Sequence, residues 1–236
     1  MTLEGNVVHE GKTKILYKEK PGELIMEFKD SITAMNGKLK ETIPGKGEVC
    51  SKITEIIFSH LEKNGVNTHF ISRVSEKKIR VKELEMYPIE VVCRNIAFGS
   101  LLKRLPLRSG EELKRPVIEF YYKSDELGDP MLNEDHLAIL GVSESEIKEI
   151  RGTTLKTNEL LKELFRNAGL KLVDFKLEFG KYKSNILIGD ELSPDNFRAW
   201  LENRPVDKDL FRMGEGRDTV IKAYLEVLKR LEKVVN

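Results

Sequence analysis

At 236 residues the chain has room for one large domain or for two small lobes sharing a cleft. Its 40 Lys and Arg against 39 Asp and Glu leave a net charge of +1, so no global field draws it to nucleic acid or to a membrane surface. A hydrophobic fraction of 40% supports a sizeable core, no apolar run approaches membrane-spanning length, and Cys50 and Cys93 form neither a metal-ligand spacing nor a disulfide framework, as suits a reducing cytoplasm.

In chain order, Val7 to about Phe28 reads as a strand meander, VVHEGKTKILY and LIMEF joined by a Lys-Pro-Gly-Glu turn. Asp30 to Gly47 reads as a polar, glycine-containing loop, long enough that a functional or mobile role is expected. Glu48 to Asn64 has helical periodicity, with Val49, Ile53, Ile56, Ile57 and Leu61 on one stripe and Gly65 as the stop. Strands are predicted over Thr68–Val74 and Lys78–Leu84, and Pro88 opens the buried run IEVVCRN. Helices are predicted over Glu134–Leu140, Glu144–Ala168 and Thr219–Val235. A strand-rich beginning and a mixed remainder predict an N-lobe over residues 1–84 and a larger C-lobe over residues 85–236. His9, His60, His69 and His136 have no triad context and read as structural or surface residues. The N-terminus lacks a signal-peptide pattern, and the absence of glutamine with 33% charged residues points to a heat-adapted source.

The stretch Leu172–Trp200 places charge where a plain hairpin would not carry it. From Asp174 the residues alternate, with Phe175, Leu177 and Phe179 on one strand face and Asp174, Lys176 and Glu178 on the other. After a turn over Gly180–Asn185, a second strand ends in Gly189-Asp190-Glu191. With an odd-length loop, pairing puts Asp190 on the charged face, within metal-binding reach of its neighbours. A solvated sheet face would show the same alternation, and on the strands alone both readings stand. Ser193-Pro194-Asp195 is a helix-start signal, which predicts Arg198 one turn into a helix beside the acidic group. An arginine there suits a phosphate or carboxylate substrate.

Elsewhere, Gly11-Lys12-Thr13-Lys14 at the first hairpin offers two lysines to phosphate oxygens, or is an ordinary exposed strand. Arg94 ends a buried strand and calls for a partner. Ser100, after Gly99, could meet an anion or simply cap a helix over LLKR.

LVDFKLEFG at 172–180 followed by GDELSPDNFR at 189–198 resembles the paired signature of the SAICAR synthetase (phosphoribosylaminoimidazole-succinocarboxamide synthase) family. GKTKILY at 11–17, VKELEMYPIEVVCRNIAFGSLLKR at 81–104 and DPMLNE at 129–134 extend the likeness over nearly the whole chain, in the family's order. The resemblance implies an α+β, two-lobed fold: an antiparallel-sheet N-lobe, a larger mixed C-lobe and an ATP cleft between them, related to ATP-grasp and kinase-like folds. It implies Lys12 and Lys14 on the ATP phosphates, Lys82 to Leu84 as the connector that meets adenine, and Leu24 and Val81 as apolar walls. Glu178 and Asp190 would hold Mg²⁺, with Lys176 between Asp174 and Glu178 facing the transferred phosphoryl or the substrate carboxylate. Arg94, Ser100 and Arg198 would anchor the ribotide, with Arg212 and Asp129 as further matches. The sequence departs from the family in Leu201, where an acidic residue often follows the tryptophan, and over Met213–Arg217.

The implied reaction joins 5-amino-1-(5-phosphoribosyl)imidazole-4-carboxylate (CAIR) to L-aspartate with ATP and Mg²⁺, in a cytoplasmic homodimer without nucleic-acid or membrane partners. Two alternatives share the phosphate residues: a small-molecule kinase on a similar cleft, and a non-catalytic nucleotide sensor.

Overall fold

The computed structural model describes residues 6–34 and 39–235. The first meander forms β1 (Val7–Glu10), β2 (Lys14–Lys20) and β3 (Glu23–Phe28), followed by a short hairpin of β4 (Ser31–Ala34) and β5 (Leu39–Thr42). Helix α1 (Lys46–Lys63) buries the predicted stripe, and β6 (Phe70–Ser75) and β7 (Lys78–Lys82) complete the five-stranded antiparallel sheet β1-β2-β3-β7-β6. The Asp30–Gly47 segment is therefore not a simple loop: β4 and β5 pair within it, while residues 35–38 lie outside the described ones. Its ends are tied, because Ile43 N–H donates to the Asp30 carbonyl at 2.8 Å and Gly47 N–H to Asp30 Oδ1 at 2.9 Å. A Cβ on Gly47 would lie 2.4 Å from the Phe28 carbonyl oxygen, so only glycine lets α1 start that close to β3.

Past Glu83 and Leu84 the chain enters a second antiparallel sheet, built from β8 (Glu85–Ile96), β9 (Glu112–Tyr122) and β10 (Met131–Leu132) before two helices intervene, α2 (Glu134–Ile139) and α3 (Glu144–Asn167). Each helix begins with a reciprocal cap, Asn133 with His136 and Ser143 with Glu146, which satisfies backbone N–H groups that a helix start leaves unpaired. The sheet resumes with β11 (Lys171–Tyr182), β12 (Asn185–Gly189), β13 (Phe197–Leu201) and β14 (Arg204–Pro205), and the chain ends in α4 (Asp209–Arg212) and α5 (Arg217–Val235). Among the described residues, no helix is long and apolar enough to cross a membrane.

Strand β11 decides where the site falls. Its apolar face, Phe175, Leu177 and Phe179, is buried as the alternation predicts. Each such aromatic or leucine side chain contributes about 2 kcal/mol on burial. One edge of β11 pairs with β8 along most of its length. The other pairs with β13 over residues 171–175 and with β12 over residues 178–182. Between those two partners the edge is open at Lys176 and Leu177, and the 190–196 segment folds in to close it, with Lys176 N–H donating to the Asn196 carbonyl at 2.8 Å. The two sheets also meet away from the 83–84 connection, through a parallel bridge between Thr68 and Ile188.

Candidate active site

Residues directly opposite in an antiparallel sheet share a face. The register pairs Asp174 with Arg94, Lys176 with Val92 and Glu178 with Glu90 on β8, and then Val92 with Glu119 and Glu90 with Tyr121 on β9. Asp174 also pairs with Arg198 on β13. One face of the second sheet therefore carries the charged positions of four strands. It is not a solvated face, since Arg94, Glu119, Asp174 and Glu178 are buried. Buried charge of this density has to be paired, and it resolves into two groups.

The first is built on arginine. Arg94 donates to Glu119 at 2.7 Å, to Asp174 at 3.1 Å and to Ser100 Oγ at 2.9 Å. Arg198 donates to Asp174 at 2.9 Å and to Asp209 at 2.7 Å, and Arg212 pairs with the other Asp209 oxygen. The Arg198 guanidinium also lies over the Phe98 ring, 5.7 Å from its centroid. A Cβ on Gly99 would lie 3.1 Å from that guanidinium. Burial opposes the charge on Arg198, but Asp174 and Asp209 outweigh it and raise its pKa further. Arg198 lies on β13, not on a helix. Ser193-Pro194-Asp195 makes the turn, with Ser193 Oγ accepting from Asp195 N–H at 3.2 Å, but Phe197 and Ala199 are drawn into pairing with β11 before a second helical turn forms.

The second group is built on lysine. Lys176 Nζ lies 2.7 Å from Glu178, 2.9 Å from Glu90 and 3.6 Å from Asp190. Asp174 belongs with the arginines, so the expected placement of Lys176 between Asp174 and Glu178 is replaced by Glu90, Glu178 and Asp190. Lys14 pairs with Asp190 and lies 2.6 Å from Glu191, while Lys123 pairs with Glu178. Burial works against the charges of Lys14 and Lys176, and the facing carboxylates more than compensate, raising both pKa values. Burial likewise opposes the Asp190 carboxylate, but Lys14 and Lys176 hold it below the ordinary range.

Asp190 reaches this face by a different route from simple alternation. The hairpin turn is only Lys183-Ser184, with β11 running on to Tyr182, and Glu178 pairs with Gly189. Continued pairing would set Asp190 opposite Leu177, on the apolar face. Instead Asp190 adopts φ 57°, a left-handed conformation that aspartate tolerates better than most residues, and the carboxylate swings back to Lys14 and Lys176. Its carbonyl accepts from His69 Nε2 at 2.9 Å. His69 is buried against Phe58, and burial first of all lowers its pKa to about 4.

The remaining expected residues fall elsewhere. Lys12 is in the β1–β2 loop rather than on a strand beside Lys14, and pairs with Asp125 at 2.7 Å. Asp129 has φ 51° and turns its carboxylate onto the Ser124 N–H at 3.0 Å, so its visible partner is its own turn. Leu24 and Val81 pair across β3 and β7 inside the main hydrophobic core. Lys82 donates from Nζ to the Thr68 carbonyl at 3.0 Å. Leu84 lies against the backbone of Gly180 and Gly189, where an added Cβ would come within 2.8 Å and 3.2 Å of its side chain.

Sequence reasoning missed Glu90, Glu119, Tyr121, Lys123, Glu191 and Asp209. The end of β9 and the residue after it carry a signal: Glu119, Tyr121 and Lys123 alternate just as Asp174, Lys176 and Glu178 do. A further cluster, Cys50, Glu191 and Asp195, brings donor atoms within 4.8 Å of one another. The Lys46 ammonium, paired with Asp195 and 3.9 Å from Cys50 Sγ, supplies the positive charge there.

A profile described as SAICAR synthetase matches residues 7–231. The chain belongs to the SAICAR synthetase family. A phosphoribosylaminoimidazole-succinocarboxamide synthase of Thermococcus sibiricus is 50% identical over 227 residues, covering 95% of this chain and 97% of that protein. A SAICAR synthetase solved in complex with ADP superposes with a TM-score of 0.92 at 47% identity, over 94% of this chain and 96% of the other. The synthase of Ehrlichia chaffeensis gives a TM-score of 0.93 at 42% identity over 98% and 100% of the two chains. The two-lobed fold implied by the sequence motifs is thus the fold of SAICAR synthetases.

Proposed function

We propose that this chain is the ATP-dependent ligase that condenses CAIR with L-aspartate to give SAICAR, ADP and phosphate in de novo purine biosynthesis. The observation that carries the reading is the placement, on one sheet face of a SAICAR synthetase family member, of an arginine-lined group directly beside a carboxylate–lysine group. A carboxylate acylates poorly because oxide is a poor leaving group. Transfer of the γ-phosphoryl of ATP to the CAIR carboxylate gives an acyl phosphate, which the aspartate amine then attacks, releasing phosphate.

In this reading Arg94, Ser100 and Arg198 anchor the ribotide, with Arg212 supporting them through Asp209, and Asp174 fixes the two guanidiniums. Lys12 and Lys14 meet the ATP phosphates, Lys82 to Leu84 lie along adenine, and Leu24 and Val81 form apolar walls. Lys176 positions the acceptor carboxylate, and Asp129 shapes the β9–β10 loop near Lys12. Positioning and electrostatic stabilisation carry most of the barrier reduction in phosphoryl transfer. The donor set fits Mg²⁺, which takes one or two carboxylates and leaves its other positions to water and phosphate: Glu178 and Asp190 flank one cationic position. When bound, Mg²⁺ would offset charge on the nucleotide phosphates. Residues 1–84 would cover the nucleotide and residues 85–236 would hold substrate and metal. A homodimer in the cytoplasm completes the proposal, the last supported by two free, buried cysteines.

The test is phosphate release from MgATP with CAIR, with and without L-aspartate. Release that requires both is expected. ADP formation that needs no aspartate and releases no free phosphate, the phosphoryl staying on its acceptor, would replace the ligase reading with a small-molecule kinase.

A further inference from the structure

We infer that His69 is a positioning residue for Asp190, its Nε2–H clamping the Asp190 carbonyl so that the left-handed backbone there aims the carboxylate into the site. The inference rests on the reading of Asp190 as a metal ligand, and goes beyond it in naming what holds that ligand.

Three observations support it. Asp190 leaves the β12 strand at φ 57°, and a non-glycine residue persists in that region only when its surroundings hold it there. The His69 ring engages the Asp190 carbonyl directly, at 2.9 Å. A carbonyl only accepts, so Nε2 must carry the proton, and a buried neutral imidazole has one such proton to give.

The ring is itself held in place. His69 N–H donates to the Ile188 carbonyl at 2.8 Å, and Lys82 N–H donates to the His69 carbonyl at 2.7 Å. Ile188 N–H donates to the Asn67 carbonyl at 3.1 Å, and the Phe58 ring packs edge-on against the imidazole, 5.7 Å between centroids. His69 therefore joins β7, which leads into the 83–84 connector, to the end of β12, which carries the ligand. The proposed function gives the His69 ring itself no contact with the nucleotide or the reacting atoms, so its role is one of aim.

Isothermal titration of ADP with and without Mg²⁺ tests the clamp in wild type, His69→Leu, His69→Gln and Asp190→Asn. The measured quantity is the factor by which Mg²⁺ tightens ADP binding. It is expected to fall about fivefold in His69→Leu and to stay within about twofold of wild type in His69→Gln, whose amide keeps a donor for the same carbonyl. Affinity for Mg²⁺-free ADP should be unchanged in both. Unchanged tightening in His69→Leu, with tightening lost in Asp190→Asn, overturns the clamp alone. Intact tightening in Asp190→Asn overturns the metal-ligand reading beneath it. Equal weakening of Mg²⁺-free and Mg²⁺-bound ADP in His69→Leu marks a merely structural role and also overturns the proposal. Nitrogen-15 spectra of the wild-type imidazoles do not depend on any variant folding: a proton on His69 Nε2 near neutral pH is expected, and a proton on Nδ1 alone would refute the clamp.

Discussion

Asp174 and Arg198 face each other across β11 and β13, with Arg198 Nη1 donating to Asp174 Oδ2 at 2.9 Å. The same oxygen accepts from Arg94 at 3.1 Å, so one carboxylate sets the spacing of two guanidiniums. Arg198→Ala should therefore impair ribotide use, raising the KM for CAIR roughly 10- to 100-fold, the range for a lost charge-assisted hydrogen bond, with much less change in the KM for ATP. Steady-state kinetics in each substrate decide it. Equal rises for both ligands would remove Arg198 from the ribotide anchor.

Asp190→Asn keeps the shape of the side chain and removes its charge from beside Lys14 and Lys176. The variant should fold with a circular dichroism spectrum like wild type and lose about 100-fold in turnover, as for one preorganised electrostatic group. Turnover close to wild type would take Asp190 out of the site.

Gly180 lies where the connector crosses the hairpin. A Cβ there would lie 2.8 Å from Leu84 Cβ, 2.9 Å from Met86 Sδ and 3.0 Å from the Glu85 carbonyl oxygen. Gly180→Ala should therefore cost about 1–3 kcal/mol through overpacking. Urea unfolding reads this directly, and an unchanged midpoint would mean that the contact between connector and hairpin is slack.

His69 gives the metal- and nucleotide-free protein a specific acid sensitivity. Its folded pKa is lowered from 6.5 to about 4, chiefly by burial. As pH falls below 6.5, the unfolded chain binds a proton that the folded chain refuses until about pH 4. Stability should then drop by about 2 kcal/mol between pH 7 and pH 5, a dependence that His69→Gln removes. Denaturant titrations at the two pH values, in both proteins, make the comparison. An equal drop in His69→Gln would assign the effect to other groups.

Local pattern made much of this fold readable. The stripe of Val49, Ile53, Ile57 and Leu61 marked α1, and the alternation around Phe175 marked β11, because each period reports directly on a buried face. The 190–198 segment departs from its local pattern for a physical reason: Ser193-Pro194-Asp195 satisfies the local rules for starting a helix, and long-range pairing of Phe197 and Ala199 with β11 overrides them. Asp190 reaches the charged face through its left-handed backbone and not through an odd-length turn, and a single left-handed residue leaves no period to read. Lys176, Glu178 and Asp190 were legible as a group because they share one hairpin. Glu90, Glu119 and Lys123 were not, because only the register of β8 and β9 against β11 brings them there.

The main hydrophobic core runs without a break from Leu24 and Met26 on β3, through Ile53 and Ile57 on α1 and Phe175 on β11, to Val227 and Leu231 on α5. A chain severed after residue 84 would thus leave two fragments, each exposing half of a shared interior. The shared core makes folding a joint property of residues 1–84 and 85–236, so calorimetry should record one melting transition, and neither part expressed alone should withstand proteolysis.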